Sequence, residues 1–231
     1  MLYIVATPIG NLLDISIRQI ETLLNSDVIL AEDTRSAMTL LHNIKRIDAL
    51  KIEFKKIPKV ISYYKEREME KLPEIIKMLE EGKTISLISE AGMPLISDPG
   101  YLLLKSVIQR NIAYTVIPGP SAVTTALLHS GYRTDNFMFL GFLPKKEADI
   151  VRVLKKIKEV HNLLKNTSFI FFESPSRINK TLEMINKHIP EVNVVIAREL
   201  TKKYEEILQG KVSDLIQKEY KGEITLILNF N

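Results

Sequence analysis

Ser89-Glu90-Ala91-Gly92-Met93-Pro94-Leu95-Ile96-Ser97-Asp98-Pro99-Gly100 decides how this chain reads. It follows an apolar, β-like run at 84–89 and leads into a helix-like stretch with Leu102, Leu103, Val107 and Ile108. A second such turn, Pro118-Gly119-Pro120-Ser121-Ala122, follows the apolar run 113–117, and Thr7-Pro8-Ile9-Gly10-Asn11 follows the opening strand. Strand, tight turn and helix N-terminus together put backbone N–H groups at the carboxyl edge of a parallel sheet, where small charged ligands bind. A single turn of this kind is an ordinary βα connection. Three, so dense in proline and glycine, point to a ligand cleft.

Outward from these turns, strand and helix patterns alternate. Apolar runs at 2–6, Val28–Ala31 and 60–62 read as strands. Ser16 can cap a helix with Ile17, Ile20, Leu23 and Leu24 on one face. A second helix runs through Met38, Leu41 and His42, and a third carries Leu72, Ile75, Ile76 and Leu79 and stops at Gly82. With a last helix at Ala122–His129, these five βα units predict a mostly parallel sheet with helices on both faces, ending near residue 131.

From 132 the pattern changes. Strands are expected at Phe137–Phe142, Ser168–Glu173, 192–197, 204–209 and 223–229. Helices are expected at 146–164 and 177–188, the first with Arg152, Lys155, Lys156 and Glu159 on its polar face. Domains 1–131 (α/β) and 132–231 (α+β, mixed sheet) follow.

The chain has 231 residues, 45% apolar and 26% charged, ordinary globular values that allow one large or two small domains. No apolar run approaches the roughly 18 residues that span a bilayer, and the first residues enter a strand without the basic start of a signal peptide. There is no cysteine, and His42, His129, His161 and His188 lack ligand spacing and read as helix-surface residues. A soluble, cytoplasmic, metal-free protein is expected. The net charge of +4 lies wholly in 131–231, with 17 Lys/Arg against 13 Asp/Glu, while 45–59 is locally basic. Two such segments suit a polyanion-binding rim, and equally a solvated lysine-rich surface.

Neither G-x-G-x-x-G nor G-x-x-x-x-G-K-[ST] occurs, against an ordinary Rossmann or P-loop nucleotide site. Glycines 92, 100 and 119 instead permit close backbone approach. Polar groups gather where strands would end: Glu32-Asp33-Thr34-Arg35, Glu173-Ser174-Pro175-Ser176-Arg177, and Arg198-Glu199-Leu200-Thr201-Lys202 with Glu205-Glu206. Each alone reads as a helix cap or ion pair. Together at one cleft they suit a site that grips a polar substrate and removes a proton.

The ordered stretches Thr-Pro-Ile-Gly-Asn-Leu (7–12), Glu-Asp-Thr-Arg (32–35), 89–100, Pro-Gly-Pro-Ser-Ala (118–122), Gly-Phe-Leu-Pro (141–144), Phe-Glu-Ser-Pro-Ser-Arg (172–177) and Arg-Glu-Leu-Thr-Lys (198–202) closely resemble the ribosomal RNA small subunit methyltransferase I family of the tetrapyrrole-methylase-like (class III) methyltransferases. The resemblance covers nearly the whole chain. It implies a two-domain tetrapyrrole-methylase-like α/β fold with S-adenosylmethionine in the cleft between the domains, and a homodimer. It also implies 2′-O-methylation of a cytidine in the decoding region of 16S rRNA, free or in the small ribosomal subunit, with no membrane partner. By position, Pro8, Ile9, Gly92, Met93, Ile96, Ser121 and Ala122 correspond to cofactor contacts, and Phe172, Glu173 and Glu199 to the closing wall.

In an in-line displacement of the methyl group, Asp33 and Glu199 are the candidate bases, and Arg35 and Lys202 the holders of phosphate or ribose. RNA affinity is expected from 45–59 and the basic face of 146–164. The chain departs from the family pattern at Glu90 (usually Asp), Met93 (Thr), Glu66-Arg67 (His-Asn), Phe172 (Tyr) and Ser176 (His), and many members have a longer C-terminal tail. These departures bear on RNA docking and efficiency. A tetrapyrrole-type small-molecule methylase and an inactive ribosome-associated binding protein are the rival readings.

Overall fold

A computed structural model of the chain describes residues 1–47, 57–216 and 219–230. It forms two compact units, Met1–Ser121 and Ala122–Asn231.

The first unit is built on five parallel strands, β1 (Leu2–Val5), β2 (Val28–Ala31), β3 (Lys59–Ser62), β4 (Ile85–Ile88) and β5 (Tyr114–Ile117), in the order β3-β2-β4-β1-β5. Helices α1 (Ile17–Leu24) and α2 (Thr34–Lys45) pack on one face, where Ile20, Leu23, Ala37, Leu41 and Ile44 meet Val5, Ile29 and Ile88. Helices α3 (Glu68–Glu80) and α4 (Tyr101–Gln109) cover the other, with Ile75, Leu79, Leu103 and Val107 against Leu2, Ile4, Leu30 and Leu87. This division follows from handedness. The chain moves toward the β3 edge through β1, β2 and β3, and back through β4 and β5, so right-handed crossovers must use opposite faces.

Local chemistry fixes the ends. Ser16 and Gln19 form the expected capping box of α1. Gly100 opens α4 with no side chain to cap it. The buried Glu68 of α3 takes that role, its Oε1 accepting the N–H groups of Leu102 at 2.8 Å and Leu103 at 3.3 Å. Ile17 and Ile108, expected on apolar faces, are 59% and 50% exposed.

In the second unit, β6 (Phe137–Phe142) runs parallel to β7 (Ser168–Glu173), and β10 (Ile224–Asn229), β8 (Asn193–Arg198) and β9 (Glu206–Lys211) continue antiparallel, in the order β6-β7-β10-β8-β9. Helices α6 (Glu147–Leu163), α7 (Ile178–His188) and the short α8 (Val212–Leu215) bury Ile150, Leu154, Leu182, Ile185 and Leu215 against Phe169, Phe171, Leu226 and Leu228. Helix α5 (Ala122–His129) packs on β10 and β7, so it groups with this unit and not, as expected, with the first. Strand β9 starts two residues later than expected. Residues 199–205 are taken up by turns, with Lys202 N–H bonded to Glu199 O and Glu205 N–H to Lys202 O. No described helix is long and apolar enough to cross a membrane.

Candidate functional site

The carboxyl ends of β1, β4 and β5 lie side by side, and their loops meet at one point. Thr7 and Gly92 form an isolated antiparallel bridge, N–H to O at 2.9 and 3.1 Å. Gly92 has φ +82°, and a Cβ there would lie 3.2 Å from Ile9 Cγ2 and 3.4 Å from Pro120 O. Only glycine fits such a crossing without strain. Beneath it, the buried Gln19 side chain accepts Ser16 N–H and donates to Ala6 O, both at 2.6 Å. A Cβ at Gly119 would collide with that amide and with Ala6. The glycines therefore serve contact of loop with loop. This crossing lies over the gap between β1 and β4, whose helices leave to opposite faces, which is the topological switch point of an open α/β sheet.

The fourth loop is strained further on. Leu95 (φ 71°) and Ser97 (φ 74°) are left-handed without being glycine, at about 1–3 kcal/mol each. Of the residues expected to touch cofactor, Pro8, Met93 and Ser121 are half-buried, Ile9 and Gly92 are buried, and Ile96 is 42% exposed. Ala122 opens α5 in the second unit.

The same edge is acidic. Burial, with Glu32 and then Glu90 nearby, pushes the Asp98 carboxyl up to about 7. Glu32 is raised by burial and by Glu90 and Glu66. Asp33 behaves oppositely. It is the N-cap of α2, accepting Arg35 N–H at 2.7 Å and the Arg35 guanidinium at 2.7–3.2 Å. Arg35's side-chain and backbone hydrogen bonds hold the Asp33 carboxyl down at about 2.

The second unit places its polar residues in closed networks. The Glu173 side chain is fully buried, accepting Ser174 N–H at 2.8 Å and Thr181 O–H at 2.7 Å, with Arg177 Nε at 3.4 Å. Arg177 also donates to Leu143 O and Pro144 O at 2.7 and 2.9 Å. Glu199, at φ 51°, accepts Glu223 N–H and the Lys202 ammonium, both at 2.9 Å. The Glu223 N–H bond and then Lys202 hold its carboxyl below the usual range. Lys202 reaches Glu223 as well, at 2.8 Å. Arg198 pairs with Glu206 at 3.1 Å. Phe172 is half-buried between Phe139 and Phe142.

Asp33 and Arg35 thus sit together after β2, and Glu199 and Lys202 together after β8. Of the basic segment 45–59, Lys51, Lys55 and Lys56 lie outside the described residues. On α6, Lys155 and Lys156 are exposed, while Arg152 pairs with Asp149 at 3.2 Å. Sequence reasoning passed over Asp98 and, although it placed Phe172 at the closing wall, the Phe139 and Phe142 rings that flank it. The signals were an acid inside the densest turn and a lone glycine, Gly141, inside an apolar strand.

The profile of the Tetrapyrrole (Corrin/Porphyrin) Methylases matches residues 1–216. The Ribosomal RNA small subunit methyltransferase I of Thermotoga maritima is 42% identical over 233 residues, covering 99% of this chain and 97% of that protein. Its namesake from Halalkalibacterium halodurans is 41% identical, covering 100% and 76%. Among solved structures, the methyltransferase CobJ superposes with a TM-score of 0.69 at 14% identity, covering 99% of this chain and 93% of that one. The uroporphyrin-III-C-methyltransferase of Thermus thermophilus gives 0.61 at 14%, covering 99% and 94%. With a switch-point crossing of three loops, a mixed second sheet and this degree of identity along its length, the chain belongs to the ribosomal RNA small subunit methyltransferase I family of the tetrapyrrole methylases.

Proposed function

We propose that this protein transfers a methyl group from S-adenosylmethionine to the ribose 2′-oxygen of a cytidine in the decoding region of 16S rRNA, acting as a cytoplasmic homodimer. The observation that carries the reading is the meeting of Ile9, Gly92 and Pro120 at the switch point, in a chain 42% identical to a protein named for rRNA methylation. The donor fits the chemistry of this edge. Its sulfonium and ammonium outweigh its one carboxylate, and a cation offsets the mutual repulsion of Glu32, Glu90 and Asp98. Pro8, Ile9, Gly92, Met93, Ile96, Ser121 and Ala122 are the proposed contacts, with Phe172. Glu173's enclosed carboxylate leaves only its main chain for such a role.

Bound here, the donor would supply an already activated methyl group, so the protein's task is alignment, worth up to about 7–11 kcal/mol. Arg35 and Lys202 are assigned to phosphate or ribose. Asp33 and Glu199 are occupied anions, poor bases and better anchors for those cations. Asp98, near 7, has the proton affinity a base needs. The test is calorimetry with S-adenosylmethionine, followed by labelled-methyl transfer to small ribosomal subunits and mapping of the modified nucleotide. Cofactor uptake without transfer to rRNA overturns the assignment.

A further inference from the structure

Strand β6 carries a bulge that turns an extra aromatic ring, Phe142, out toward solvent. Phe137, Met138 and Phe139 pair in order with Ser168, Phe169 and Ile170, but Phe142 pairs with Phe172, so Leu140 and Gly141 together oppose one residue. Gly141 has φ +67°, as such an insertion requires. In regular pleating, Phe139 and Phe142 would point to opposite faces. The bulge brings both to the face of Phe172, away from the core that holds Phe169 and Phe171. The rings of Phe139 and Phe142 flank Phe172 edge to face, with centroids at 4.8 and 5.7 Å and interplanar angles of 62°. Phe142 is nevertheless 55% exposed.

The chain just beyond is clamped. Arg177 holds the carbonyls of Leu143 and Pro144, and Glu173 neutralises it from within. Lys145 and Lys146 follow, exposed and with no carboxylate partner among the described residues. An exposed phenylalanine by itself is unremarkable. A ring turned out of the core by a bulge, with the chain beyond it held by Arg177 and two exposed ammonium groups following, is a built surface.

We propose that Phe142, backed by Phe172 and Phe139, stacks against an unpaired base of the RNA acceptor strand, while Lys145 and Lys146 hold the flanking phosphates. The inference rests on the rRNA reading above. The lysines choose the occupant. An oligonucleotide brings a π-face and phosphates together, whereas S-adenosylmethionine has an aromatic ring but no phosphate and a net positive charge.

The test compares Phe142→Leu, Phe142→Trp and the Lys145→Ala/Lys146→Ala double variant. Binding of a short single-stranded oligoribonucleotide is followed by fluorescence anisotropy, and S-adenosylmethionine affinity by calorimetry. Phe142→Leu keeps apolar volume without a ring and should weaken RNA binding about five- to a hundredfold. Phe142→Trp should restore it, and cofactor affinity should stay unchanged in both. The lysine variant should reduce the slope of log K against log salt by about 1.4, two single-strand phosphates' worth. An unmodified chain that binds no oligonucleotide, RNA affinity unmoved in Phe142→Leu, or a loss confined to S-adenosylmethionine would each overturn the platform. Failure of the parent to take up cofactor, with RNA binding still lost in Phe142→Leu, refutes the enzyme reading and leaves the platform standing.

Discussion

Thr7 and Gly92 exchange both of their backbone hydrogen bonds, tying the loop after β1 to the loop after β4. Gly92→Ala puts a side chain at φ +82° and against Ile9. A loss of about 1–3 kcal/mol is expected in urea unfolding, with a larger drop in S-adenosylmethionine affinity than Gly82→Ala causes. Gly82 shares the left-handed φ but has nothing near it.

Asp98 should make the site pH-sensitive. Its carboxyl is raised in the folded protein to about 7 from 3.8, so the proton-bound fold is favoured. This contribution is complete below the unfolded value and is lost as pH rises through about 7. A cationic donor reverses the preference, so its binding should tighten with pH and release a proton near neutrality. Calorimetry in two buffers of different ionisation enthalpy measures that release, and Asp98→Asn should abolish it.

The candidate bases can be separated by rate. Asp33→Asn and Glu199→Gln keep shape but weaken the hold on Arg35 and Lys202. A fall in kcat/KM for rRNA without a shifted pH profile is expected for both. Asp98→Asn should instead remove the rising limb of the profile, read by labelled-methyl transfer.

Glu173→Gln strips Arg177 of its buried counter-charge. A loss of about 1–3 kcal/mol in thermal or urea unfolding is expected, with donor affinity close to that of the parent.

Strands and helices were legible because apolar periodicity is local: Val28–Ala31, Phe137–Phe142 and Ser168–Glu173 stand where the sequence places them. The loops near Ile9, Gly92 and Pro120 were legible as turn chemistry, though their meeting depends on strand order, which periodicity does not encode. The allegiance of α5 was hidden because it is settled by contacts with β7 and β10, which lie far along the chain. Glu199 and Asp33 read as candidate bases because a sequence shows neither the Glu223 N–H nor the geometry of Arg35. Asp98's raised proton affinity comes first from burial and then from Glu32, and only the fold supplies either.

Strand β4 lies between β1 and β2, and β1 bonds to β4 and β5 alone. A nascent chain that has not yet emerged past residue 88 therefore holds β1 without a ladder partner, while β2 can pair only with β3. The opening turn stays unmoored during synthesis until its central strand arrives, which makes completion of this sheet a late, long-range event.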